Sequence, residues 1–440
     1  MEASEHCDVL VVGGGPAGST AATLLQRRGW KVTLLEKAHH PRFHIGESLL
    51  PANLPIFEEL GVLDKVRALG VLKQGADFEF GDGARQTYRF RHALGSTPPH
   101  AYQVERQVLD RMLFEHARDS AVDVREGIKV ERVVANGIGA VTARAVQVEG
   151  GEGFSVHARY LVDASGRDTV LGNALGIKRR NSAHQSAAIF AHFRGVDRGV
   201  AEGAGNIGIY SFESGWCWFI PLPGDVMSVG CVCWPEYLKR RRTTNDRFLM
   251  DTLARIPGAQ ARMHAAEMIS PVRIAGNYSY ACERMTGPGW IMVGDASAFV
   301  DPVFSSGVYL AMHSASRAAA LIDASLRTPA RERALQAAFA KRMRRGVRVF
   351  SWFIYRFNTT AMQRLFANPR NFLRVQQGVI SMLAGDVFDS GPVMRRVWLF
   401  KILYVLNSLR SSGRGVRERL DRRRQARCRL SDGHAPVDRT

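Results

Sequence analysis

A glycine loop set between two β-type runs near the start of the chain constrains its fold more than any other feature. Val9-Leu10-Val11-Val12 is a short apolar run, and Gly13-Gly14-Gly15-Pro16-Ala17-Gly18 follows it directly. A helical stretch from Ser19 to Arg28 leads to a second β run, Lys31-Val32-Thr33-Leu34-Leu35, and then to Glu36. Strand, loop, helix, strand and acid in this order form a dinucleotide fingerprint. Gly13 permits the tight turn, Gly15 lets a pyrophosphate approach the backbone, and Gly18 lets the helix pack on the strand. The helix N-terminus faces the phosphates with unpaired N–H groups and a positive dipole end. Glu36 is placed to accept from ribose hydroxyls. Gly13, Gly15, Ala17, Gly18, Glu36 and Lys37 are therefore the expected cofactor contacts in this segment.

A second match, Gly203-Ala204-Gly205-Asn206-Ile207-Gly208, leads into Ile209-Tyr210-Ser211-Phe212. That run is of strand type, so there is no helix dipole to use, and the segment reads as a loop. One dinucleotide site is expected.

Four further pieces occur in order. Pro41-Arg42-Phe43-His44-Ile45-Gly46-Glu47-Ser48 is a loop, and Val104-x-Arg106-x-x-Leu109-Asp110-x-x-Leu113 opens a helix. Asp163-Ala164-Ser165-Gly166 ends a strand. Trp290-Ile291-Met292-Val293-Gly294-Asp295-Ala296 is a strand ending in Gly-Asp-Ala, with Asp301-Pro302 and a helix after it. Together they resemble FAD enzymes of the p-hydroxybenzoate hydroxylase type. The resemblance implies FAD, with Asp295 at the ribityl chain and Arg42, Ser48, Arg106, Gly307 and Val308 around the cofactor. It also implies an α/β fold: a Rossmann-type FAD-binding domain with an inserted β-sheet substrate domain and a helical C-terminal region.

Gly215-Trp216-Cys217-Trp218-Phe219-Ile220-Pro221 carries two indoles at i and i+2, which share one face of a strand that the proline ends. Such rings are either plain core or one wall of an active site. Within the superfamily, Trp216-x-Trp218-x-Ile220-Pro221 resembles the W-x-W-x-I-P motif of flavin-dependent halogenases, which is taken to discourage ordinary monooxygenase chemistry. Phe43-His44-Ile45-Gly46-Glu47-Ser48-Leu49-Leu50-Pro51 is also similar, and the likeness runs roughly from residue 7 to 330. Lys73 falls where these enzymes keep their essential lysine; without the likeness it would read as a solvated loop residue. Asp301-Pro302-Val303-Phe304-Ser305-Ser306-Gly307-Val308 corresponds to the segment that faces the flavin and holds the halide. Tryptophan halogenases carry glutamate where this chain has Phe304, so the likeness points to phenol or pyrrole halogenases, several of which act on carrier-bound acyl groups. It implies an active-site wall of Trp216, Trp218, Pro221 and Phe304.

The implied chemistry uses FAD as FADH2, supplied by a separate flavin reductase, with O2 and a halide, chloride or bromide. The cofactor carries the hard step, and the halide becomes hypohalous acid. Ser306 and Gly307, opening a helix that runs from Val308 toward Arg317, offer N–H groups and a positive helix end as the halide seat. Lys73 is the implied catalytic residue, either as a hydrogen-bond donor or as a transient haloamine.

Other residues read plainly. His39, His40 and His44 crowd one loop, but no partner at metal spacing completes a site. Cys231 and Cys233 alternate on a strand and share one face. Six cysteines without paired spacing suit reduced thiols in the cytoplasm. No secretory signal pattern precedes Cys7, and no apolar stretch has a membrane-spanning length.

The expected organisation is an interleaved FAD-binding unit from 1–180 and 270–330, a substrate-side sheet from 181–269, a helical basic and aromatic region from 331–410, and a loose basic tail from 411–440. Residues 331–440 hold 24 Lys+Arg against 7 Asp+Glu, a net +17 of the chain's +19. In Val347–Phe357, positive charge alternates with large apolar residues. This pattern suits an acidic acyl carrier protein, a peripheral contact on an anionic membrane, or a solvated face over a core helix. Flavin chemistry gives nucleic acid no purpose here. Two other functions stay open: a monooxygenase or geranylgeranyl-reductase-like oxidoreductase on the same fold, and a non-catalytic flavin-fold binding protein at a membrane.

Overall fold

The structure, a computed structural model, describes residues 3–81, 83–135, 140–199 and 203–410. The expected basic tail, 411–440, lies outside the described residues.

Two large sheets organise the chain. The first runs in the order Thr286–Gly287, Trp290–Met292, Gly153–Asp163, Ala3–Val12, Val32–Leu35, Asp123–Arg125, and its last five strands are parallel. Val9, Leu10 and Val11 are fully buried, as a central parallel strand covered on both faces requires. Strand order reverses beside Ala3–Val12, so the glycine loop after Val12 opens at the switch point where α/β sheets bind ligands. The helix Pro16–Gln26 starts with proline at its first position, where no N–H is needed, and packs against the long helix Gly307–Arg327.

The second sheet runs Ala298–Phe299, Arg273–Cys282, Lys178–Arg194, Met227–Cys233, Gly215–Pro221, Ile207–Phe212, Gly75–Glu79, Arg85–Arg89. It draws strands from well outside 181–269, because β pairing joins residues remote in sequence. Alternation along Gly215–Pro221 sorts side chains between two cores. Trp216, Trp218 and Ile220 face the main core; Cys217 and Phe219 face a second one built with Ile189, Phe193, Val229 and Leu249. Gly230 lies opposite Trp218 and makes room for its indole, since a Cβ there would sit 2.4 Å from the ring. A short third sheet pairs Val71–Lys73 with Ala101–Gln103.

The C-terminal region is helical, with Glu332–Ile354, Thr360–Ala367, Val375–Leu383 and Gly391–Arg410. Several of its aromatic residues point inward: Phe350, Phe353 and Phe357 are buried, and Phe353, Phe357 and Phe366 close around Phe304. Within Val347–Phe357 the three phenylalanines are thus core, with Trp352 and Tyr355 partly buried against it, because burying these rings stabilises more than exposing them. The large apolar residues left exposed in this region lie later: Phe372 and Leu373, and on Gly391–Arg410 Trp398, Ile402, Val405, Leu406 and Leu409. No helix among the described residues is long and apolar enough to cross a membrane.

Candidate active site

A single cleft of about 1720 Å³ runs from the glycine loop, past Glu36, Arg42 and Asp295, to Trp216, Trp218, Ser305 and Gly307. That exceeds a typical small-ligand pocket and gives room for a dinucleotide and a second molecule.

The glycines divide by role. Gly13 has φ +103°, and a Cβ there would lie 2.4 Å from the Ala164 carbonyl; one at Gly18 would lie 1.8 Å from the Gly13 carbonyl. These two allow chain to pack on chain. A Cβ at Gly15 would meet only an Arg42 guanidinium nitrogen at 3.5 Å, so the space over Gly15 is an open cradle. Glu36 accepts from the N–H of Gly14 at 2.7 Å and of Ala38 at 2.9 Å, with the Arg42 guanidinium 3.6 Å away. Arg42 Nε is buried without a hydrogen-bond partner among the described residues. Asp295 lines the same cleft, and burial pushes its carboxyl up to about 6 against the charges of Arg167 and Arg106. An open cradle over backbone N–H groups, an unsatisfied guanidinium beside it and an acid deeper in fit a bound FAD.

The other expected contacts, Lys37 and Arg106 among them, also line this cleft. Arg106 forks onto Asp110 at 2.8 and 2.9 Å and donates to the Ile45 carbonyl, holding the Arg42–Ser48 loop. Lys37 pairs with Asp168 at the mouth of the cleft. Asp163 accepts from Ser165 and Leu171 N–H groups and closes its own turn. Ala17 and Val308 line the cleft.

Lys73 is not a solvated loop residue. It ends the strand Val71–Lys73, is 1% exposed, and donates to Ser48 Oγ and to the Leu49 carbonyl, both at 2.9 Å. The Phe90 ring lies 5.4 Å from Nζ, and burial pulls the amine down to about 7. Ser48 lines the cleft, so Lys73 stands one hydrogen bond behind its wall. Trp216 and Trp218 stand in that wall with ring centroids 5.8 Å apart, and the Trp218 indole donates to Ser228 Oγ. Gly307, which opens its 21-residue helix, borders the cleft; Ser306 is the buried residue before it. Phe304 and Pro221 do not line the cleft. Phe304 turns away into the Phe353, Phe357, Phe366 cluster because the C-terminal helices cover that side, so its identity does not shape the space beside the tryptophans.

Sequence reasoning missed several groups at the cleft: Phe190, Arg273 and Arg167 line it, and His192 is bonded to the cleft-lining Glu47. His192 meets Glu47 at 2.8 Å, Phe43 stacks on Phe190, and Arg273 lies 4.0 Å over the Phe43 ring. Phe43 and Glu47 sit in a motif already singled out, but a lone histidine on a strand carries no pattern. Arg167, one residue after Asp163-Ala164-Ser165-Gly166, also lines the cleft and donates to the Gly276 carbonyl. His40 pairs with Glu126, and no group that could hold a metal occurs among the described residues.

A nucleotide fold at the switch point, an open phosphate cradle and a second sheet over the same cleft define an FAD-binding oxidoreductase. The sequence pattern of an FAD binding domain family matches residues 6–352. The chain belongs to the flavin-dependent halogenases. It is 32% identical to the myxobacterial chondrochloren halogenase, an FAD-dependent halogenase of known structure, with a TM-score of 0.77 over 90% of this chain and 96% of that one. A tryptophan 2-halogenase of Chondromyces crocatus is 38% identical over 327 residues, 73% of this chain; the match spans only 62% of that longer protein. A 1H-pyrrole-2-carbonyl-[peptidyl-carrier protein] chlorinase of Pseudomonas fluorescens is 29% identical over 415 residues, 88% of this chain and 91% of the other.

Proposed function

We propose that this protein chlorinates or brominates an electron-rich aromatic ring, a phenol or pyrrole held on a carrier protein, in the biosynthesis of a secondary metabolite. The observation that carries the reading is a buried amine, Lys73, hydrogen-bonded to a cleft-lining loop that shares its cavity with Trp216 and Trp218.

When bound, reduced FAD with O2 supplies the oxidising power that turns halide into hypohalous acid. Gly15 would let the backbone come close to the pyrophosphate, with Gly13 and Gly18 packing the loop that shapes this approach, Arg42 would balance its charge, and Asp295 would meet the ribityl hydroxyls. Ser306 and Gly307 seat the halide at the positive end of their helix. A Cβ at Gly307 would meet nothing within 4 Å, which leaves that seat open. Lys73 holds the oxidised halogen near the ring, either as an ammonium donating a hydrogen bond to hypohalous acid or as a neutral amine that takes the halogen from it, the O–halogen bond breaking and the amine proton leaving with the hydroxide as water. Trp216 and Trp218 exclude water from the cleft, so that the halogen meets the ring and not solvent.

The near full-length likeness to a pyrrolyl-carrier chlorinase supports a carrier-bound pyrrole. Residues 331–410 hold 15 Lys+Arg against 3 Asp+Glu, a charge suited to an acidic carrier. An anionic membrane face would suit the same charge, and sedimentation with anionic vesicles separates the two. A separate cytoplasmic flavin reductase supplies FADH2, so the protein alone does not oxidise NADH. Indole is a second ring to weigh, because a tryptophan 2-halogenase is among the relatives and Phe304 does not face the cleft.

The test is mass spectrometry of carrier-loaded pyrrolyl and hydroxybenzoyl groups and of free tryptophan. Each is incubated with the protein, FAD, a flavin reductase, NADH, O2 and chloride or bromide. A halogen isotope pair on one substrate supports the reading and identifies the ring. A halide-independent gain of one oxygen on these substrates would replace it with monooxygenation.

A further inference from the structure

The second glycine motif, Gly203-Ala204-Gly205-Asn206-Ile207-Gly208, leads into a strand and not a helix, and it lies against the backbone on both sides of Lys73. The chain turns there, with the Asn206 N–H donating to the Gly203 carbonyl at 2.9 Å. It then enters the strand Ile207–Phe212, which pairs in parallel with Gly75–Glu79, Ile207 opposite Ala76 and Gly208 opposite Asp77. That register brings the turn to Leu72-Lys73-Gln74, where the chain leaves the short third sheet and joins the second.

Three contacts follow. A Cβ at Gly205 would lie 1.9 Å from the Leu72 carbonyl oxygen and 3.3 Å from a Val71 methyl, so this approach admits no side chain. Asn206 Oδ1 accepts from the Gln74 N–H at 3.2 Å, and its Nδ2 donates to Asp77 Oδ1 at 3.3 Å. The Gly205 carbonyl accepts from Gln103 Nε2 at 3.2 Å, and Gln103 forms a backbone bridge with Ser48, whose hydroxyl accepts from Lys73. The turn thus touches the residue before Lys73, the residue after it, and the strand that positions its partner.

We infer that Gly205 and Asn206 are positioning residues for Lys73, clamping the backbone so that its amine is held at Ser48. The inference rests on the role proposed above for Lys73. A long flexible side chain with a charge taken out of water is driven back toward solvent unless its backbone is fixed. Clamping at Leu72 and Gln74 opposes that release, and a displacement of about 1 Å at such a group can cost roughly 100-fold in rate.

The experiment compares the parent, Asn206→Ala and Lys73→Ala as full-length proteins loaded with FAD. The titration of Lys73 is read in the parent and Asn206→Ala by competitive acetylation with acetic anhydride across pH, with the Lys73 peptide quantified by mass spectrometry against the other lysines. Oxidised bromine escaping to solvent is read by monochlorodimedone bromination with a flavin reductase, NADH, O2 and bromide. Asn206→Ala should retain FAD, raise the Lys73 midpoint by about one pH unit or more, and raise trapped bromine about tenfold, as Lys73→Ala also should. Gln103→Met, which cuts the tie to the Ser48 strand, should act in the same direction and serves if Asn206→Ala does not fold. A parental Lys73 midpoint and parental bromine release in the folded clamp variant, with release raised in Lys73→Ala, would overturn the clamp alone. Unchanged release in Lys73→Ala would instead overturn the role of the lysine, and the clamp's catalytic meaning with it.

Discussion

Glu47 and His192 meet at 2.8 Å across the boundary between the cofactor-side loop and the second sheet. Glu47 is nearly buried and His192 about one-fifth exposed. Burial alone would pull the imidazolium down, but the hydrogen bond and charge of Glu47, with a further charge from Glu105, outweigh it and hold His192 above its ordinary value. A folded-state value above the ordinary 6.5 contributes stability that is complete below that pH and is lost as pH rises through the folded value. Glu47→Gln should cost about 2 kcal/mol at pH 6 and much less at pH 9, as urea unfolding at the two pH values would show. An equal loss at both would mean that the pair is not ionic.

Lys73→Met keeps the volume of the buried side chain and removes the amine. Halogenated product should fall at least about 100-fold, while FAD binding persists and the unfolding midpoint changes by only a few degrees. The parent's folded-state value of about 7 lies below the ordinary 10.5, so the unfolded chain binds the additional proton between them. Stability from this residue therefore rises with pH across that window. Lys73→Met should lose that rise, which denaturant melts from pH 7 to 10 would detect.

Gly15→Ala and Gly18→Ala should fail differently. Gly15 has φ −76° and an open cradle above it, so alanine folds there but intrudes on the pyrophosphate. FAD affinity should fall about 10- to 100-fold with stability retained, as flavin fluorescence titration would measure. At Gly18 the new methyl would strike the Gly13 carbonyl, and stability should fall by about 3 kcal/mol or more.

Arg106 and Asp110 form a buried fork. Burial would raise the Asp110 carboxyl, but the charge and hydrogen bonds of Arg106 hold it below its ordinary value. The stability from this pair is present above the ordinary carboxylate range and is lost as pH falls through it. Arg106→Met should cost about 3 kcal/mol at neutral pH by removing both hydrogen bonds from the buried carboxylate and leaving it only the Arg42 guanidinium 3.8 Å away, and the difference from the parent should shrink toward pH 3 in thermal melts.

Much of the cofactor side was legible because its signals are local. The first glycine loop needs a positive φ at Gly13 and an open approach at Gly15, and residue type alone announces both. The two tryptophans share a face because a strand repeats every two residues. Phe304 was legible as a motif position but not in its direction, which the Phe353, Phe357 and Phe366 rings decide. The second glycine motif leads into a strand, as its sequence suggested, yet its contact with Leu72 and Gln74 had no local sign.

The sequence by itself determined the nucleotide fold, the strand that carries the indoles and the likeness to halogenases, since turn conformation and periodicity are properties of neighbouring residues. Only the tertiary structure decided that Lys73 is buried on Ser48, that Glu47 finds His192 145 residues away, and that Phe350, Phe353 and Phe357 face inward. Burial, and the charge state it imposes, depends on which remote surfaces close over a side chain, and no local pattern encodes that.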